Sequence, residues 1–199
     1  MPLKIVQAGD PVLRARAREV SAKEIGSRFV QDLIGEMRET MRGAPGVGLA
    51  APQVGESLQI AVIEDKPDYQ RNVRQEQLDL LERRPVPFHV IINPRLTLKE
   101  AGRARFFEGC LSASGLVGVV PRALDVYVEA LDAKGKPVSI DAHGWYARIL
   151  QHEIDHLAGV LCIDRVYTRT LMTQDNYAQH WGSKPIEQVW QELDVDREP

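Results

Sequence analysis

From about residue 23 to residue 42 the apolar positions Ile25, Phe29, Val30, Leu33, Ile34, Met37 and Met41 recur at spacings of three and four. That period lines up one face of an α-helix, and charged residues fill the opposite face, so the stretch predicts an amphipathic helix laid on a core. Met37 and Met41 belong to that packing face, and Ser21 stands where a helix cap is expected. Ahead of it, residues 1–20 predict an irregular or extended arm with a turn at Gly9-Asp10-Pro11, pinned by Leu3, Ile5, Val12 and Leu13. The pattern then changes. Residues 58–63 and 88–93 are short apolar runs that predict strands, and the polar stretch 64–87 between them predicts a solvated excursion without chemistry, although 75–84 has the composition of a short helix. Residues 95–99 and 103–107 predict further strands joined through Glu100-Ala-Gly102, and 124–131 with 136–140 predict a hairpin around Asp132-Ala-Lys-Gly135. Beyond about residue 170, Ile186, Val189, Trp190 and Leu193 predict an amphipathic helix that docks on the body or on a partner.

Composition narrows the class. A chain of 199 residues with 44% hydrophobic and 27% charged residues is expected to form one globular domain over 1–199. A net charge of −3 argues against nucleic-acid binding by bulk electrostatics, so no specific DNA partner is expected. Two cysteines make no disulfide framework, the first residues lack the shape of a signal peptide, and no apolar run reaches spanning length. The expectation is a cytoplasmic protein with no membrane partner.

Candidate chemistry concentrates in Arg148-Ile-Leu-Gln-His-Glu-Ile-Asp-His-Leu157. On a helix His152 and His156 share one face, one turn apart, where both imidazoles can hold one metal ion. Glu153, rotated off that line, can take a proton from water at the ion's open position. A catalytic metal needs a third protein ligand. Glu108-Gly-Cys-Leu-Ser112 offers Cys110, which taken alone reads first as a small buried hydrophobe. The small-residue stretch Gly43-Ala-Pro-Gly-Val-Gly-Leu-Ala-Ala-Pro-Gln53 reads either as a ligand-facing groove ending in one long polar side chain or as a loop entering a strand. It lacks the Gly-Lys-Ser/Thr ending of a phosphate loop. Cys162, inside an apolar run, reads as a core residue.

Three of these stretches together, Gly46-Val-Gly-Leu-Ala-Ala-Pro-Gln53, Glu108-Gly-Cys-Leu-Ser112 and His152-Glu-Ile-Asp-His156, resemble the three signature motifs of the peptide deformylase family, in the family's order. The resemblance implies an α+β fold with antiparallel strands wrapped around a central metal-binding helix, an N-terminal amphipathic helix and a C-terminal helical tail. It implies Cys110, His152 and His156 as metal ligands, Glu153 as acid and base, and Gln53 with the Leu111 amide as the oxyanion site. Val47, Gly48, Gly109, Trp145 and Ile149 are expected to contact substrate. The implied reaction removes the formyl group from formyl-methionyl nascent polypeptides, with a possible transient ribosome contact. The implied ion is one divalent metal, ferrous iron, which zinc, nickel or cobalt can replace. Residues 113–122 and Gly144-Trp145 are more similar to the mitochondrial and plant branch. Two other readings stay open from the residues alone. A zincin-type endopeptidase would draw a ligand from beyond His156, where Asp164 stands, and a non-catalytic metal-binding or ribosome-docking module would need neither Glu153 nor Gln53.

Overall fold

The computed structural model of the protein describes residues 2–71, 73–100 and 102–195. The N-terminal helical stretch forms, but in two pieces, α1 (Ala22–Ile25) and α2 (Arg28–Gly43). Ser21 caps α1 in a capping box with Glu24, and Ser27 caps α2 by accepting a hydrogen bond from the Val30 amide at 3.3 Å. A serine hydroxyl competes for backbone donors, which is why it interrupts an otherwise continuous period. In the first turn of the new helix Phe29 falls outside the buried stripe: it is 57% exposed, against the expectation that it enters the core. Val30, Leu33, Ile34, Met37 and Met41 are buried as expected.

The strands follow as β1 (Gly48–Ala50), β2 (Ile60–Asp65), β3 (Val86–Leu98), β4 (Arg103–Gly109), β5 (Leu116–Ala123), β6 (Asp125–Leu131), β7 (Pro137–His143) and β8 (Met172–Thr173). Between them lie α3 (Gln75–Leu80) and α4 (Gly144–Leu157). One antiparallel sheet has the order β1-β2-β3-β6-β7, and a smaller one the order β4-β5-β8. Strand side chains alternate between faces, and β2 shows the consequence. Ile60 and Val62 pack with α2, whereas Ala61 and Ile63 pack with Ala147, Ile149 and Leu150 of α4. The larger sheet therefore lies between the amphipathic helix and the helix carrying the histidines.

Two expectations change. Residues 88–93 and 95–99 belong to one strand, β3, which hands over from β2 to β6 at an irregularity between Ile92 and Arg95. Asn93 sits there at φ 50°, a conformation asparagine tolerates, and its side chain bonds both the N–H and the C=O of Val20 at 2.8 Å, fixing the N-terminal arm. β4 follows β3 through Glu100-Ala-Gly102 as expected, and it pairs with β5, in the other sheet. The 64–87 stretch is not merely solvated, because α3 forms there and Arg83 closes a buried ion pair with Asp65. The hairpin of β6 and β7 turns at the expected residues, with Gly135 at φ 74°. The tail docks on the body: the helix Ile186–Glu192 buries Val189, and Trp190 packs on Tyr167 and against Arg105.

Candidate metal centre and cleft

α4 is held in place before any chemistry is considered. Its Gln151 accepts from the Ala123 N–H at 3.0 Å and donates to the Ala123 C=O at 2.9 Å, closing a two-bond bracket onto the end of β5. From that fixed helix His152 and His156 face the connection between β4 and β5, where Cys110 lies. The Cys110 Sγ and one ring nitrogen from each histidine lie within 4.8 Å of one another, and Sγ is 3.3 Å from His156 Nε2. His152 Nδ1 is tied to Glu108 Oε2 at 3.1 Å, which leaves Nε2 as its ligand atom and orients the ring.

The donor set fits a divalent ion. One thiolate and two imidazoles suit zinc, ferrous iron, cobalt or nickel. Burial and the neighbouring His152 lower the pKa of His156, so its ring is the neutral form a metal requires. Burial opposes charge on His152, but Glu108 and Glu153 outweigh it and raise that group to about 9. The adjacent Cys162 sulfur and burial push the Cys110 thiol up, so a bound cation is what would stabilise its thiolate. Cys162 is buried as expected, yet it is no remote core residue, since its sulfur lies against Cys110. Glu153 Oε2 and His156 Nδ1 are buried without a hydrogen-bond partner among the described residues. Burial raises the Glu153 carboxyl to about 7.

Around the ligands lies an ion cluster that sequence reading missed. Arg122 bonds Glu108 through Nε and Nη2, each at 3.0 Å, and reaches Asp155 with Nη1. Arg148 bonds the same Glu108 and the carbonyls of Val120 and Ala104, while Arg165 grips Asp155 at 2.6 and 2.7 Å. Arg122 and Arg148 are each only 4% exposed. Glu108 and Asp155 stood inside the quoted motifs without a role; acids with no partner nearby in sequence, on elements rich in apolar residues, were the available signal.

Gln53 lies at the edge of the same site. Its Oε1 accepts from the Ala50 N–H at 2.9 Å, which turns its Nε2 toward Ser112 Oγ at 3.3 Å and Cys110 Sγ at 3.6 Å. The Leu111 carbonyl accepts from Gln7, and the Leu111 N–H has no hydrogen bond among the described residues. Gly48 closes over Glu153: a Cβ built there would stand 2.2 Å from Oε1. A cleft of about 350 Å³ opens onto these groups and is lined by Val47, Gly48, Gly109, Trp145 and Ile149. Arg83 joins them, from the stretch expected to carry no chemistry. Asp164 is turned away, bonded to Arg14 and to the Leu161 N–H, so it does not join the donor set.

Residues 2–171 match the polypeptide deformylase family. A chloroplastic peptide deformylase 1A of Solanum lycopersicum is 49% identical over 172 residues, 86% of this chain and 62% of that protein. Peptide deformylase 1 of Bifidobacterium longum is 46% identical over 184 residues, 92% of this chain and 82% of that one. This chain spans about 62–64% of the length of the two plant relatives, from tomato and Arabidopsis thaliana. A solved structure of class I type b peptide deformylase from Acinetobacter baumannii with Met-Ala-Ser bound superposes with a TM-score of 0.73 at 32% identity, covering 83% of this chain and 99% of that one. With motifs, fold and ligand cluster in agreement, the chain belongs to the polypeptide deformylase family.

Proposed function

We propose that the protein is a metal-dependent hydrolase that removes the formyl group from the N-terminal methionine of nascent polypeptides, releasing formate and a free amine. The observation that carries this reading is the meeting of a Cys110, His152 and His156 donor set with a buried, unpartnered carboxylate oxygen of Glu153 and the Gln53 amide. Cys110, His152 and His156 would hold one divalent ion, proposed to be ferrous iron with zinc, nickel and cobalt as substitutes. When bound, the ion supplies Lewis-acid charge for the carbonyl and for water.

The chain's own groups do the rest. Glu153, with its pKa raised to about 7, takes the proton from the attacking water and returns it to the amide nitrogen as the carbon–nitrogen bond breaks. Gln53 Nε2 and the Leu111 N–H donate to the carbonyl oxygen as it gains charge. Glu108 keeps His152 in one tautomer and orientation. Val47, Gly48 and Gly109 leave room for peptide backbone, and Trp145 with Ile149 forms the apolar wall for the methionine side chain. Substrates of this kind emerge from the ribosome, so a transient contact there and a cytoplasmic place belong to the same proposal. The bound Met-Ala-Ser of the Acinetobacter baumannii enzyme matches the expected product in chemistry.

The test is formate release from formyl-Met-Ala beside casein cleavage, with Glu153→Ala as control. We expect formate from the metal-loaded protein, no casein cleavage, and a loss of about 10²–10⁴-fold in Glu153→Ala with the metal retained. Casein cleavage without formate release would favour an endopeptidase instead.

A further inference from the structure

Only two cysteines occur in the 199 residues, and the fold brings both to the metal centre. Cys110 lies in the connection between β4 and β5, Cys162 opens the short helical turn Cys162–Asp164 beyond α4, and their thiols share a hydrogen bond. No step of the mechanism uses Cys162. Neither sulfur sits on a free loop. Cys110 Sγ is 3.3 Å from His156 Nε2, 3.4 Å from the Ser112 amide nitrogen and 3.6 Å from Gln53 Nε2. The turn carrying Cys162 is closed by the Arg165 N–H, which donates to the Cys162 carbonyl at 3.0 Å, and the Arg165 guanidinium in turn grips Asp155 on α4.

The two sulfurs differ in access. Cys110 lines the cleft, whereas Cys162, only 5% exposed, is not among its lining residues. A small hydroperoxide entering the cleft therefore meets Cys110 first. The Cys110 sulfur attacks one peroxide oxygen, the O–O bond breaks, and the sulfur becomes a sulfenic acid while the other oxygen leaves and is protonated to water. The Cys162 sulfur then attacks the Cys110 sulfur: the S–S bond forms, the S–O bond breaks, and the oxygen departs with the Cys162 proton as a second water. Two thiols and one hydrogen peroxide thus give one disulfide and two waters. A disulfide sulfur has no thiolate charge to offer a cation, so the donor set falls to His152 and His156, too few to hold a catalytic ion.

We infer that Cys162 is a resolving cysteine: under hydroperoxide it captures oxidised Cys110 in a reversible disulfide that releases the metal and spares the ligand sulfur from irreversible oxidation. Without a thiol alongside, a sulfenic acid goes on to sulfinic and sulfonic acids, which thiol reductants do not reverse. The test uses zinc-loaded protein, because zinc has no redox chemistry of its own. Hydrogen peroxide is added, remaining thiols are alkylated, and intact mass, a non-reduced peptide map and released zinc are measured. Wild type should lose two hydrogens per chain, yield a peptide pair joined through Cys110 and Cys162, and release one zinc for each disulfide. Dithiothreitol, then desalting and fresh zinc, should restore both thiols and zinc binding. Cys162→Ala keeps all three ligands and should instead gain two or three oxygens at Cys110, with zinc binding not recovered by the same treatment. Wild type that gains those oxygens with no joined peptides, or that forms the bond only between chains, overturns the inference, and so does full recovery of oxidised Cys162→Ala. Should Cys162→Ala fold poorly, the wild-type peptide map and zinc release decide alone. Every readout is independent of formate release, so failure here leaves the deformylase reading standing.

Discussion

Gly48→Ala tests how Glu153, the proposed general base, is seated. Gly48 does not adopt a positive φ, so glycine is required there for space and not for backbone conformation. A Cβ would stand 2.2 Å from Glu153 Oε1, 2.5 Å from its Cδ and 2.8 Å from its Cγ. Ordinary contact needs about 3.5–4 Å, so the carboxylate must move by more than 1 Å. The helix cannot supply that movement, because Gln151 brackets it to Ala123 and Asp155 is held by Arg122 and Arg165. Nor can β1, paired with β2 through Gly48 and Ile63. The Glu153 side chain must therefore rotate out of its seat. A displacement of about 1 Å costs about 10²-fold in rate, and full loss of the base up to about 10⁴-fold. Overpacking should cost about 1–3 kcal/mol of stability. The assay is kcat for formate release with metal content and Tm measured on the same preparations. Glu153→Ala supplies the second side of a cycle: once the carboxylate is gone, Gly48→Ala should have little further effect on rate. A Gly48→Ala enzyme within about threefold of wild type, or one whose loss is undiminished in Glu153→Ala, would refute the reasoning.

Other expectations follow from the same geometry. Gln53→Leu should lower turnover by about 10²–10³-fold with metal content unchanged, and an unaltered rate would remove the oxyanion role. Glu108→Gln leaves buried Arg122 and Arg148 short of a counter-charge, so it should cost about 3–5 kcal/mol and weaken metal binding roughly 10- to 100-fold; a normal melting curve would mean the cluster relaxes freely. His143 has its pKa raised by Asp125 and Glu82, so the stability from these pairs is complete below about pH 6.5 and is lost as pH rises through the raised value. The Tm gap between wild type and His143→Gln should accordingly be wider at pH 6 than at pH 9, and a gap independent of pH contradicts the ion-pair account.

What the sequence makes legible is what has a local period or a fixed local spacing. The two histidines on α4, the buried stripe of α2 and the β6–β7 hairpin are set by neighbours three, four or two residues away, and each forms where the pattern places it. The break at Ser27 and the exposure of Phe29 turn on one hydroxyl choosing a capping bond, a contest that periodicity alone does not register. β3 reads as two strands because the apolar pattern stops at Asn93 and resumes at Arg95, yet the break is a bend at Asn93 that anchors the arm at Val20. The pairs Asp65–Arg83, Glu108–Arg122 and Glu108–Arg148 join residues 18, 14 and 40 positions apart. Such partners have no local signature, so the groups that orient His152 and shape the far end of the cleft emerge only when the strands are assembled.

The most direct measurement of the central claim is a metal titration read as formate. Metal-free protein would be loaded with ferrous iron without oxygen, and formate release from formyl-Met-Ala followed against ions added. The account predicts a linear rise that stops at one ion per chain and is abolished by a chelator. It also predicts that Cys110→Ala and His156→Ala bind no ion at that stoichiometry. Tight binding of one ion with no formate released, or full activity in the ligand variants, would contradict it.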